Sequence, residues 1–336
     1  METGPVGDAR GCVTTRTALI TGIAGQDGSY LAELLLGKGY HVLGLDAPGR
    51  RGRRENIEHL LDRIELISGD LSAQDSMIAA ITEARPDEVY NLGAQSSSVE
   101  SFRDPVRTGD INGLGPVRIL DAIRRVSPRT RFFQASSAEM FGKAKEYPQR
   151  LTTPFEPVTP YGAAKLYAHW MVAHFRSRHG IYAVSGILFN HESPRRGLEF
   201  VTRKIAHAAA AIKRGVQREL RLGDLDAARD WGFAGDFVRA MWLSLQQEEP
   251  RDYLIATGEP HTVREFVEEA FLSVGLDWKK HITLDKEFVR HDEGYRPCGD
   301  ASLARTRLGW NPETSFRELV RMMVEAELQR ACRTSQ

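Results

Sequence analysis

A short apolar run, Ala18-Leu-Ile-Thr21, passes directly into Gly22-Ile-Ala-Gly25-Gln-Asp-Gly28 and then into a helical pattern over Ser29 to Leu36. A strand that turns at once into a helix, with glycines at the turn, points to a βαβ unit of a parallel sheet. Gly22, Gly25 and Gly28 permit a tight turn and a close backbone approach, so that a pyrophosphate can rest at the positive helix N-terminus. The spacing is GxxGxxG rather than GxGxxG, and by itself it fits an ordinary strand-to-helix turn equally well. Position decides in favour of dinucleotide binding. After about 20 residues a second apolar run, His41 to Leu45, ends in Asp46, where a carboxylate can bond an adenosine ribose.

The rhythm continues through Ile64 to Ile67, Asp87-Glu-Val-Tyr-Asn-Leu92, a helical pattern around Val106 to Arg125, and Thr130 to Ala135. Five or more strands joined by helices predict an α/β fold, a doubly wound parallel Rossmann sheet with helices on both faces. Beyond Ile187 the rhythm loosens. Prolines at 194, 250, 260, 297 and 312 interrupt helical patterns such as Phe200 to Lys213 and Val263 to Val274, which predicts a smaller C-terminal α/β substrate lobe. The expected organisation is a disordered tail over 1–15, a dinucleotide-binding domain over 16–190, a substrate lobe over 191–330 interleaved with the first, and a short tail over 331–336.

Lys plus Arg and Asp plus Glu number 45 each, so no net field draws the chain to nucleic acid or to an anionic membrane. Cys12, Cys298 and Cys332 are widely spaced and odd in number, which suggests neither a disulfide framework nor a zinc site and fits a reducing cytoplasm. An anionic ligand must therefore be held by local arrangement.

Asp46 would repel a ribose 2′-phosphate and so favours NAD, whereas Arg50, Arg51, Arg53 and Arg54 could grip one and favour NADP. Asp70, after the third strand, suits either an adenine edge or a turn. Pro160-Tyr161-Gly-Ala-Ala-Lys165 opens a helical pattern that sets Tyr161 and Lys165 four residues apart on one face. A nearby ammonium would bring a phenol, an ordinarily poor base, into working range. The strand ending at Ala135 leads into Ser136-Ser137-Ala138-Glu139, at the carboxyl end where active residues of such sheets gather. Ser137 could bond the hydroxyl that Tyr161 deprotonates, and Glu139 could be a second base. With two bases, oxidation at C4 of a hexose can be followed by loss of the C5 proton and elimination of the C6 hydroxyl; hydride return to C6 then regenerates the oxidised cofactor.

The glycine turn, Ser137, Tyr161 and Lys165 resemble the extended short-chain dehydrogenase/reductase family over roughly residues 17 to 190. Longer strings, Gly186-Ile-Leu-Phe-Asn-His-Glu-Ser-Pro-Arg-Arg-Gly197, Phe200-Val-Thr-Arg-Lys204 and Arg229-Asp-Trp-Gly232, resemble one branch of it, the GDP-mannose 4,6-dehydratases. The resemblance implies Tyr161 as base at the C4 hydroxyl, Lys165 as its support and Glu139 as the C5 base. It implies cofactor contacts at Gly22, Gly25, Gln26, Asp27, Gly28, Asp46, Arg50, Arg51, Asp70 and Leu71 besides Tyr161 and Lys165. Gln95, Ser96, Asn190, Glu192, Arg196, Lys204, Arg229, Arg290 and Glu293 would meet GDP-mannose or a related GDP sugar, with NADP as cofactor and a homodimer or homotetramer as the assembly. Ser137-Ala138-Glu139 stands where the family usually has Thr-Ser-Glu, and Asp46-Ala47-Pro48 where it has paired arginines, which keeps NAD open. The rival expectations are another sugar-nucleotide reaction, epimerisation or decarboxylation, and a dinucleotide-binding scaffold without catalysis.

Overall fold

The computed structural model describes residues 15–46, 54–285 and 297–333. Arg50, Arg51, Arg290 and Glu293 therefore lie outside the described residues, as does the segment 1–14. Twelve strands are described: β1 Thr17–Thr21, β2 His41–Asp46, β3 Glu65–Ser68, β4 Glu88–Asn91, β5 Arg131–Ser137, β6 Ala183–Leu188, β7 Asn190–Glu192, β8 Leu220–Leu222, β9 Ala228–Phe233, β10 Tyr253–Ile255, β11 Pro260–Thr262 and β12 Ile282–Leu284.

Seven of them form one parallel sheet in the order β10-β6-β5-β4-β1-β2-β3. The order reverses direction between β1 and β4, and a crevice opens there at the carboxyl ends of the strands. Both faces are covered, so the central strands are buried throughout: every residue of β4 and β6 is buried, and Phe132, Phe133 and Tyr90 lie fully inside. The doubly wound parallel fold expected from the sequence is the fold observed.

The second half contributes to both layers. β10 and the helix Ala234–Leu245 join the main sheet's core, with Phe237 packed edge-on to Trp310. Helices Val201–Lys213, Val263–Ser273 and Phe316–Arg333 enclose a separate apolar cluster with β8 and Trp231 of β9. β7, β9 and β11 make a small sheet, and β8 pairs with β12.

One element departs from its expected form. The helical pattern over Val106 to Arg125 is broken into Pro105–Thr108, a wider π-type turn over Gly109–Leu114, and Gly115–Val126. Pro116 has no N–H to return to the preceding turn, and glycines at 109, 113 and 115 make a wider turn cheap to adopt.

Candidate active site

The first glycine turn is built as its sequence requires. Gly22 has φ +70°, in the left-handed region, and a Cβ there would lie 2.8 Å from the Gly93 amide nitrogen. Gly28 lies inside the first turn of the helix Gln26–Gly37, where a Cβ would come within 2.3 Å of the Gly22 carbonyl oxygen and 2.6 Å of Ile23 Cα. The cradle is thus a bare backbone surface at a helix N-terminus, which fits the pyrophosphate of a dinucleotide. Gly28→Ala is expected to destabilise the chain by about 1–3 kcal/mol through overpacking and to weaken dinucleotide binding. At Gly37 an added Cβ meets nothing within 4 Å, so Gly37→Ala should instead leave affinity unchanged and raise stability by about 0.4–1 kcal/mol. Thermal melts and dinucleotide titrations of the two variants distinguish these outcomes.

Gln26 and Asp27, read from the sequence as cofactor contacts, spend their side chains on the other half of the molecule. Gln26 Nε2 donates to the His191 carbonyl at 3.0 Å, and Ser193 Oγ donates to Gln26 Oε1 at 2.8 Å. Asp27 Oδ2 lies 2.8 Å from His191 Nε2, while His191 Nδ1 bonds the Phe189 carbonyl and the ring stacks on Phe237 at 4.6 Å. Burial pushes the Asp27 carboxyl up, but His191 and Gln26 outweigh it and hold the group below its usual range. Burial likewise opposes charge on His191, and Asp27 overcomes it, raising the imidazole. The pair is a partly buried bridge between the glycine turn and β7.

One strand in from the β3 edge of the sheet, Asp46 ends β2 and pairs with Arg54. Asp70 caps its own turn by accepting from the Ser72 amide and hydroxyl at 2.9 and 2.7 Å, and Leu71 packs near Gly93. The turn-forming alternative for Asp70 is therefore realised.

The catalytic candidates converge at the end of β5 and the start of the helix Pro160–His179. Thr159 caps that helix by accepting from the Gly162 amide at 2.9 Å, Pro160 occupies its first turn, and Gly180 ends it at φ +65°. Thr159 Oγ1 also donates to Glu139 Oε2 at 3.0 Å, and Ser98 donates to Glu139 Oε1. Glu139 is thus fixed by two hydroxyls beside Tyr161. Ser137 Oγ accepts from the Glu139 amide at 3.2 Å and hydrogen-bonds Tyr161.

Burial and the Glu139 charge hold the Tyr161 phenol far above its ordinary value, with the Ser137 bond and Arg196 opposing them. Lys165 is 4% exposed, and burial pushes its ammonium down to about 8. Its Nζ lies 5.6 Å from the Tyr161 ring centroid and donates to the Ala135 carbonyl at 2.8 Å. The ammonium–phenol pairing drawn from the four-residue spacing is correct in proximity, but in this structure the ammonium is turned to the β5 backbone rather than to the hydroxyl.

Asn190 and Glu192, expected to meet the substrate, lie on β7. Glu192 accepts from Thr202 Oγ1 at 2.6 Å and stands within ion-pair distance of Arg196 Nε, at 3.1 Å, while the Arg196 guanidinium stacks 3.5 Å over Phe200. Despite that proximity Arg196 Nε makes no well-aligned hydrogen bond, and Gln95 Oε1 is likewise buried without a hydrogen-bond partner. Buried polar atoms left without hydrogen bonds call for a partner, and a polar ligand in the cleft would supply one. The Gln95 amide donates to Asn112 Oδ1 and the Gln95 carbonyl accepts from Asn112 Nδ2, both at 2.8 Å, and Ser96 follows in the same loop. Lys204 Nζ donates to the Arg221 carbonyl at 3.0 Å and Arg229 to the Ala228 carbonyl at 2.7 Å. Each thus has a main-chain partner and keeps further N–H donors.

A model of the family described as GDP-mannose 4,6 dehydratase matches residues 19–323. The chain belongs to that family. It is 48% identical over 330 residues to GDP-mannose 4,6 dehydratase 1 of Arabidopsis thaliana, covering 95% of this chain and 91% of that one. Among solved structures it is similar to RMD from Pseudomonas aeruginosa complexed with NADPH, with TM-score 0.80 and 26% identity over 94% of this chain and 100% of the other. It is similar also to the UDP-glucose 4-epimerase of Thermus thermophilus in complex with NAD, with TM-score 0.80 and 26% identity over 93% and 98% of the two chains.

Several site residues escaped the sequence reading. Thr159 carried a usable signal, since a threonine directly before a helix-opening proline reads as an N-cap. Ser98 carried none, being one of three consecutive serines. Asp230, fully buried on β9, accepts from the amides of Thr257, Gly258 and Gly299 and from the Thr257 hydroxyl. It sat inside the Arg229-Asp-Trp-Gly232 string, where charge drew the eye to its neighbour.

Proposed function

We propose that this chain dehydrates GDP-mannose to GDP-4-keto-6-deoxymannose, with a nicotinamide dinucleotide recycled at each turnover. The observation that carries the reading is Glu139. A carboxylate held by Ser98 and Thr159 next to Tyr161 supplies a second proton acceptor, which a simple C4 oxidation or epimerisation does not need.

Tyr161 takes the proton from the C4 hydroxyl while Ser137 orients that oxygen. A dinucleotide seated on the Gly22–Gly28 turn supplies acceptance of hydride from C4 and its return to C6. The new C4 ketone acidifies C5, and Glu139 accepts that proton as the C6–O bond breaks, passing it to the departing hydroxyl so that water leaves. C5 later takes a proton from an exchangeable group. Arg196, whose Nε has no aligned acceptor, would offer its guanidinium to the diphosphate, and Asn190, Gln95 and Ser96 follow the carboxyl ends of β6 and β4, where ligands of such sheets bind.

NADP is the cofactor we favour: with Arg54 already paired to Asp46, the carboxylate that would repel a 2′-phosphate is partly neutralised. We place the enzyme in the cytoplasm, as a homodimer or homotetramer; no described helix is long and apolar enough to cross a membrane. Support for self-association comes from Val99, Phe102, Val106, Tyr167 and Trp170, exposed on adjoining helices that pack together.

The deciding experiment incubates purified protein with GDP-mannose and either NADP or NAD in deuterated water. Loss of one water with no net change in cofactor, and deuterium at C5, is the expected result. Unchanged GDP-mannose with both dinucleotides would remove this assignment and leave only the family fold.

A further inference from the structure

We infer that Glu327, on the C-terminal helix Phe316–Arg333, is a positioning residue for the substrate side of the active site. It acts through Arg203 and Arg330 on the segment 193–197 that carries Arg196. The inference rests on the reading of Arg196 as a diphosphate contact.

The Glu327 side chain is 5% exposed and gathers two arginines and a histidine: Arg203 Nε at 3.0 Å, His207 Nδ1 at 2.8 Å, and Arg330. Burial pushes its carboxyl up, but the bonds from His207 and Arg203 outweigh that and keep it ionised. Each arginine then spends a second donor on a main-chain carbonyl of the same short segment. Arg203 Nη1 reaches the Arg196 carbonyl, and Arg330 Nη2 reaches the Pro194 carbonyl at 2.5 Å. The segment's other side is held by the first helix: Arg195 donates to Ser29 Oγ at 3.0 Å and to Glu33 at 2.6 Å, with its guanidinium 4.0 Å over the Tyr30 ring.

Residues 193–197 are therefore clamped between the dinucleotide half and the lobe, and Glu327 fixes the lobe's jaw. A buried ion cluster is weak evidence for stability as such, since its desolvation cost is large. Its use here is orientation: two long side chains keep their forks aimed at two carbonyls only while one carboxylate holds both. Without that charge, the largely buried Arg203 guanidinium loses its counter-ion and has reason to turn to solvent, releasing the Arg196 main chain.

The test compares Glu327→Gln with Glu269→Gln. Glu269 also ties the C-terminal helix down, to the helix Val263–Ser273, but its partners Arg321 and Arg317 at 2.9 and 3.7 Å lie on the C-terminal helix itself. Glu327→Gln should raise KM for GDP-mannose roughly ten-fold with kcat within about two-fold, the pattern of lost binding geometry. It should also speed amide hydrogen exchange across 193–200. Glu269→Gln should lower the melting temperature comparably while leaving KM and that exchange unchanged. The inference is overturned if Glu327→Gln keeps wild-type KM and exchange, or if Glu269→Gln alters both equally. Should Glu327→Gln fail to fold, Arg330→Gln is judged by the same two measurements. A wild-type chain inert toward GDP-mannose would count against the proposed reaction alone, and exchange over 193–200 would still decide the role of Glu327.

Discussion

Tyr161→Phe is expected to lower kcat for GDP-mannose by about 10²–10⁴-fold while leaving the melting temperature and dinucleotide affinity close to wild type. The ring remains to fill its place at the start of the helix, and only the hydroxyl, with its bond to Ser137, is lost. Because burial and Glu139 together hold the phenol so high, a free phenolate is scarce at neutral pH, and the hydroxyl must surrender its proton within the ternary complex. Positive charge brought to the site is what makes this possible; Arg196 already acts in that direction. Burial lowers the Lys165 ammonium to about 8, which brings its change of charge close to neutral pH. A Tyr161→Phe protein that retained more than a tenth of wild-type turnover would show that another group takes the C4 proton.

The parallel sheet and the glycine turn were legible in the chain because both are dictated locally. A strand buried on two faces must be apolar throughout, and Gly22 and Gly28 stand where a Cβ would strike backbone. The nearness of Tyr161 to Lys165 and of Ser137 to Glu139 was legible for a similar reason, a short fixed offset along the chain, within one helix for the first pair and across the end of β5 for the second. What could not be read was everything that depends on residues far apart in sequence. Gln26 and Asp27 look like members of the dinucleotide turn, yet their partners are His191 and Ser193, about 165 positions away. The direction of the Lys165 ammonium was equally hidden, since spacing gives the face of a helix and not which of two acceptors wins. For Lys204 and Arg229 the resemblance named the residues, and the carbonyls of Arg221 and Ala228 that each of them meets had no signal in the sequence. Glu327 had no signal in sequence, being an ordinary glutamate of an amphipathic helix until Arg203, His207 and Arg330 are seen around it.

Glu139→Gln separates the two halves of the proposed reaction. The amide is nearly the same shape, and Ser98 and Thr159 can each turn a hydroxyl to accept where they now donate, so the local fold should persist. Elimination loses its base, and overall turnover is expected to fall by about 10²–10⁴-fold, with deuterium uptake at C5 lost in parallel. Oxidation at C4 should survive, because Tyr161, Ser137 and Lys165 remain. A GDP-4-keto hexose still bearing its C6 hydroxyl should then be found by mass after rapid quenching, at an amount comparable to enzyme. The sign of a pH effect follows as well. The Glu139 charge raises the Tyr161 phenol; with that charge gone the phenol ionises at lower pH, so the oxidation step of the variant should reach its plateau at lower pH than in the wild type. If C4 oxidation and C5 exchange instead decline together and the keto sugar never appears, Glu139 serves Tyr161 rather than C5, and the second base must be sought elsewhere in the cleft.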